Sequence, residues 1–115
     1  MGVLDFFKGP NINDGLLKYY QLKEAYLVDI RSQEDYVKAH VPGAVSLPME
    51  QIGKAIYILD NKLVPVFVYD WDIDGCRRGV KALRSLGYVS VTELGACDRY
   101  TGELESGMPE QKTEE

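Results

Sequence analysis

PVFVYDWDIDGCRRG, residues 65–79, decides the fold: an apolar, β-branched run ends in three alternating carboxylates and then opens into a helical pattern. The PVFVY run predicts a buried strand, because Val, Phe and Tyr suit a pleated surface and no charge interrupts them. A strand that hands over to a helix gathers the N–H groups of the connecting loop at the strand's end. That geometry suits an anion or a nucleophile. The residue at the handover is Asp70. A carboxylate there is compatible with a phosphoryl-accepting nucleophile, a cation site, or a site that has lost a former nucleophile.

Outward from this stretch, strand and helix signals alternate. Asn13 to Leu22 is amphipathic, and AYLVDI at 25–30 reads as a short buried strand. Ser32 with Asp35 starts a helix whose apolar side is Tyr36 and Val37, and Pro42 and Gly43 stop it. AVSLPM at 44–49 is the next strand, and Ile52, Ala55, Ile56 and Leu59 form a helical face before Asp60 and Asn61 break it. Downstream, a helix from about Cys76 to Leu86 ends at Gly87, where a left-handed cap is cheap. VSVTEL at 89–94 is the last strand. Such alternation implies βαβ units and a parallel sheet with helices on both faces. The polar stretch from Gly102 reads as a frayed tail, so residues 1–102 form one domain and 103–115 a flexible end.

Composition excludes several function classes. At 115 residues the chain holds one core, and 45% apolar with 27% charged residues is ordinary for a globular domain. Net charge is −5 with Lys and Arg dispersed, which argues against a nucleic-acid surface. MGVLDFFKG is too short an apolar stretch for a signal peptide or membrane span, and Phe6 stands where myristoylation needs Ser or Thr. A cytoplasmic location is expected, with no membrane partner. Cys76 and Cys97 are too few for a disulfide scaffold and are not spaced as a metal pair, so reduced thiols are expected.

In a parallel sheet the ligand site lies at the carboxyl ends of the strands, here the loops after Ile30, Met49, Tyr69 and Leu94. Read in that order, VDIRSQEDYVKAHVPGAVSLP and LGYVSVTELGA are similar to the opening and closing motifs of the rhodanese-like domains. The resemblance spans about Asn11 to Gly102. It is nearest the small single-domain bacterial type, which opens with a segment like Val3 to Phe7. It implies a three-layer α/β sandwich around a mostly parallel five-stranded sheet.

In that family the strand matching PVFVY ends in a cysteine, followed by Cys-x-x-Gly-x-Arg-Ser and a helix. The cysteine takes a sulfane sulfur, becomes a persulfide and passes the sulfur on; loop N–H groups and the helix dipole stabilise the anionic sulfur. Aligned without a gap on Leu83 and Gly87, the resemblance places Asp70 on the nucleophile, Ile73 on the glycine, Gly75 on the arginine and Cys76 on the serine. A carboxylate forms no persulfide, and its charge repels a thiosulfate dianion. Two like charges ~4 Å apart repel by about 4 kcal/mol at an effective dielectric near 20, roughly a thousandfold in affinity. Asp72 and Asp74 add to this, and Arg77 and Arg78 offset it. No thiosulfate sulfurtransferase activity is expected, and the Asp70 carboxylate is expected to accept hydrogen bonds from the loop in place of a thiolate.

Two thiols offer an alternative. Cys76 gains from a helix's first turn, yet Cys76, Val80 and Leu83 fall at i, i+4 and i+7, which puts the thiol on the buried face. Cys97 lies just past the last strand, where the resemblance puts a Gly-Gly turn, here Gly95-Ala96, and the two thiols could approach as a redox pair. Asp70, Asp72, Asp74 and Gly75 also copy half of a calcium loop, but its twelfth position is Lys81 rather than Glu. The D-x-D start resembles a haloacid-dehalogenase phosphatase, for which too little chain follows. No metal and no cofactor are expected. Asp29 and Arg31 read as a structural pair, Glu34 as a helix-start residue and His40 as a hydrogen-bonded turn residue. Trp71, on the loop, reads as part of a binding surface. The reading is therefore a binding or regulatory module acting through Asp70 to Cys76, with an unidentified protein or small-ligand partner.

Overall fold

A computed structural model describes residues 9–108. In chain order the elements are α1 (Ile12–Gln21), β1 (Tyr26–Asp29), α2 (Gln33–Lys38), β2 (Val45–Ser46), a kinked 3-10 segment (Met49–Lys54), α3 (Ala55–Ile58), β3 (Val66–Asp70), α4 (Ile73–Ser85), β4 (Val91–Ala96) and a 3-10 turn (Cys97–Arg99). The sheet order is β2-β1-β3-β4, with every pairing parallel. Among the described residues the sheet has four strands, against the five that the resemblance implied; the segment Val3 to Phe7 lies outside the described residues. No helix among the described residues is long and apolar enough to cross a membrane.

Strand alternation divides the core in two. Val28, Ile30, Val66, Val68 and Val91 face one layer, where Leu47, Ala55, Leu59, Val80 and Leu83 cover them. Leu27, Phe67, Tyr69 and Leu94 face the other, against Ile12, Leu16, Tyr36 and Val41. The apolar run of β3 is thus buried on both faces, which is why it carries no alternating polar residues.

Helix ends follow local chemistry. Asn11, Ser32 and Asp72 cap α1, α2 and α4 through side-chain oxygens that accept from Asn13 N, Asp35 N and Gly75 N. At the end of α4, Gly87 N donates to Arg84 O and Tyr88 N to Leu83 O, with Gly87 at φ 102°. This is the Schellman pattern, and Tyr88 and Leu83 share one core cluster.

The elements differ from expectation in several places. The helical face expected from Ile52 to Leu59 is a kinked 3-10 segment followed by the short α3, with Ile56 exposed, and the last strand, expected at 89–94, runs Val91–Ala96. The helix expected from Cys76 starts at Ile73, because Asp72 takes the cap. The AVSLPM strand shortens to Val45–Ser46: Leu47 N and Met49 N still donate to Asp29 O and Ile30 O, but Met49 already begins a 3-10 turn. Gly95-Ala96 is not a turn after the last strand: β4 runs to Ala96, and Gly95, at φ 95°, sits at the bulge opposite Val68 and Tyr69. The expected tail is tied down through residue 107, where His40 and Glu105 pair through both backbone groups and Gly107 N donates to Val37 O.

A Cβ at Gly95 would press on the Pro10 carbonyl as well as meeting an unfavourable φ. Gly95→Ala is accordingly expected to lower stability by about 1–3 kcal/mol, read as a reduced urea midpoint at unchanged slope. An unchanged midpoint would mean that the bulge is relaxed.

Candidate functional site

The carboxyl end of β1 carries a buried polar knot. Asp29 accepts from Arg31 N at 2.9 Å, from Arg31 Nε at 3.1 Å and Nη2 at 2.7 Å, and from the Tyr69 hydroxyl at 2.7 Å. Arg31 Nη2 also donates to Ala39 O at 2.6 Å, and Val41 N donates to the Tyr69 oxygen at 3.0 Å. The side chains of Asp29 and Arg31 are 0% and 5% exposed. Burial alone would lower the Arg31 pKa, but its hydrogen bonds to Asp29 and that carboxylate's charge outweigh it, and the guanidinium stays ionised. Burial, followed by Asp29, pushes the Tyr69 hydroxyl up, so it remains a donor.

One strand away, the three aspartates of the loop take three different positions. Asp70 ends β3 half-buried, and its Oδ1 accepts from Trp71 N at 2.6 Å. Its other oxygen lies beside Gly75, where any Cβ would collide with it. Asp72 caps α4 through Oδ1, accepting from Gly75 N at 2.7 Å. Asp74 is exposed in the first helical turn. The expectation that several loop N–H groups converge on Asp70 needs correction: among the described residues it accepts from one N–H, that of Trp71, and Asp72 takes the N–H of Gly75. Nor is Asp72 an idle solvated side chain. The calcium-loop pattern fails as geometry because α4 starts at its fourth residue, Ile73. Among the described residues no group of three or more His, Cys, Asp or Glu is placed to hold a metal ion.

Burial raises the Asp70 pKa, the Trp71 N–H opposes it, and Asp72 raises it further. A carboxyl raised on folding holds its proton more tightly in the folded state. Its contribution to stability is present below the ordinary value of 3.8 and is lost as pH rises through the folded value.

The thiols do not meet. Cys76 is fully buried with the α4–β3 layer, and its thiol donates to Val68 O at 3.1 Å. Cys97 packs against the opposite layer. Both are free, and they pack with different core clusters, so the structure does not pair them. Burial pushes each thiol up to about 11, and for Cys97 the neighbouring Arg31 offsets only part of this. At neutral pH both are protonated and weak nucleophiles.

Trp71 is 49% exposed but held in place. Its Nε1 donates to Asp35 Oδ2 at 2.9 Å, and its ring lies 4.6 Å from the Arg31 guanidinium carbon. Beneath it is a pocket of about 200 Å³ lined by Arg31, Tyr69, Trp71, Cys97, Tyr100 and Leu104, among others. His40, which also borders this pocket, stacks on Tyr36 with centroids 3.8 Å apart; its Nδ1 is 2.8 Å from Tyr36 O and its Nε2 3.8 Å from Glu105. Glu34 is exposed in the first turn of α2. Arg77 pairs with Glu93 at 2.9 Å. Sequence reasoning missed Asp35, Tyr69, Tyr100 and Leu104. Asp35 read as a helix-start residue, and the two tyrosines and Leu104 enter only through long-range packing.

With that geometry described, the chain can be placed among known proteins. A profile of the rhodanese-like domain matches residues 13–96, and the chain belongs to that family. It is 29% identical over 91 residues to the adenylyltransferase and sulfurtransferase uba4 of Ogataea parapolymorpha; the match covers 73% of this chain but only 22% of that protein. The Alr3790 protein of Anabaena superposes with a TM-score of 0.73 at 26% identity, covering 81% of this chain and 89% of that one. A rhodanese with anions from E. coli superposes at 0.66 and 23% identity, covering 72% and 99%.

Two predictions follow from the loop. Gly75→Ala is expected to destabilise the wild type by about 1–3 kcal/mol through overpacking against Asp70, but to cost far less in an Asp70→Gly protein, where only the 3.2 Å contact with Asp72 Oδ1 opposes the gain of up to ~1 kcal/mol for a helical alanine. A double-mutant cycle in urea reads the coupling, and equal effects in both backgrounds would refute the contact. In pH-dependent urea titrations, Asp70→Asn should gain stability relative to wild type as pH rises above 3.8. A difference that stays flat or narrows with pH would mean that Asp70 is not desolvated.

Proposed function

We propose that this chain is a rhodanese-like domain of the small single-domain bacterial type that does not run the thiosulfate sulfurtransferase cycle, and that it serves as a binding or regulatory module through Asp70 to Cys76. The observation that carries the reading is the Asp70 carboxylate. It stands at the end of β3, anchored on Trp71 N, with its second oxygen in the space that Gly75 leaves open.

Asp70 occupies the family's nucleophile position in this reading. A carboxylate there has no sulfur to load, and it presents negative charge where the family's loop attracts an anion. Gly75, in place of the family arginine, removes the cation that would hold a sulfur oxyanion and gives the carboxylate its room. The thiols do not replace the missing nucleophile. Cys76 is sealed in the core against Val68, and Cys97, with its thiol pushed up to about 11, is less than one part in a thousand thiolate at neutral pH. The sulfurtransferase activity named for uba4 belongs to a protein of which this chain spans about a fifth. Trp71, half-exposed and braced by Asp35 and Arg31, supplies a rigid aromatic contact beside the loop. The two free thiols fit a cytoplasmic setting.

The alternative is sulfur or redox chemistry at Cys97, favoured by one observation, its place beside Arg31 in the pocket below Trp71. Steady-state assays with thiosulfate and cyanide separate the two. No turnover is expected from the wild type. Asp70→Cys alone should restore little, whereas Asp70→Cys combined with Ile73→Gly and Gly75→Arg should restore turnover. Wild-type turnover that disappears in Cys97→Ser would establish the alternative.

A further inference from the structure

The pocket below Trp71 has a chemical character of its own. Its volume of about 200 Å³ exceeds the roughly 150 Å³ of an apolar cavity known to take up benzene, so one ring-sized molecule fits. Tyr69, Tyr100 and Leu104 make its walls largely apolar, and the Trp71 ring overhangs Arg31.

Among the described residues Arg31 is the one Lys or Arg side chain that lines it, with His40 also at its border. Nε and Nη2 are committed to Asp29 and Ala39 O, but Nη1 makes no hydrogen bond among the described residues. Neither is Nη1 sealed off. Among the described residues only Ser46 Oγ combines complete burial with the lack of a partner. Its two N–H groups therefore keep some exposure on a side chain that lines the pocket and is only 5% exposed, and they call for an acceptor.

The surrounding charge decides which acceptor. Asp29 already neutralises Arg31 at 2.7 Å, Asp98 borders the same pocket, and Asp35 and Asp70 bond the two nitrogens of Trp71. An anion entering here meets net negative charge, whereas a neutral carbonyl oxygen takes the Nη1 hydrogen bond without that repulsion.

We propose that the pocket binds a small, uncharged carbonyl compound with a flat apolar body, of the carboxamide or ketone type, its oxygen accepting from Arg31 Nη1 and its body lying beneath Trp71. The inference deepens the binding-module reading and rests on it.

The test titrates the full chain with benzamide, benzoate and toluene, following the fluorescence of Trp71, the only tryptophan, and amide NMR shifts. Benzamide should give a saturable response centred on Arg31, Trp71, Cys97 and Tyr100, about tenfold tighter than either analogue, the worth of one hydrogen bond. Saturating benzamide should also slow alkylation of Cys97 by about tenfold, a readout that needs no variant. Cys97→Phe, which fills the pocket, should abolish the response at an unchanged circular-dichroism spectrum. Equal affinity for all three probes, tightest binding of benzoate, shifts elsewhere on the surface, or no saturation would each overturn the proposal. Sulfurtransferase turnover by the wild type would instead overturn the binding-module reading, whatever benzamide does.

Discussion

The site end of this domain depends on the buried carboxylate of Asp29. It accepts from the backbone and guanidinium of Arg31 and from the Tyr69 hydroxyl, and through them it fixes Ala39 and Val41 of the loop after α2. A buried ion pair gains its stability only when the remaining donors are matched as well, and removing one partner strands the other at a cost of about 3–5 kcal/mol. The knot therefore joins β1, β3 and the 39–41 loop into one rigid floor. Trp71 lies across it, with its ring 4.6 Å from the guanidinium carbon of Arg31.

On this floor the loop after β3 is built around acid groups. Asp72 caps α4 and so starts the helix at Ile73, which takes Gly75 N away from the strand end. Among the described residues Asp70 keeps a single N–H, from Trp71, and its second oxygen sits where only glycine at position 75 leaves space. The two residues are complementary: the carboxylate forbids a side chain at 75, and glycine there allows the carboxylate in. Burial raises the Asp70 pKa, so the ionised carboxylate is held there against a desolvation penalty.

Much of the fold was legible in the sequence, and the reasons are local. The β3 run is apolar on both faces, and Ser32 and Gly87 mark helix ends with side-chain or backbone chemistry that acts within a few residues. The start of α4 was misread because Asp72 was counted with its neighbours as a carboxylate cluster rather than as a cap. Gly95 read as a turn residue because a bulge depends on the partner strand, here Val68 and Tyr69 of β3. At the site, Asp70, Trp71 and Arg31 were found from their places in the chain. Tyr100, Leu104 and the docking of Glu105 on His40 were not, since their partners lie tens of residues away and nothing in their own segment signals the contact.

The central claim is that no sulfur can be loaded at the end of β3. Intact-mass spectrometry after incubation with thiosulfate, and separately with a low-molecular-weight persulfide, tests it most directly because it needs no acceptor and no turnover. The account predicts an unmodified chain in both cases, and a single added sulfur atom after Asp70→Cys, Ile73→Gly and Gly75→Arg are combined. A cyanide-labile sulfur atom on the wild-type protein would contradict it.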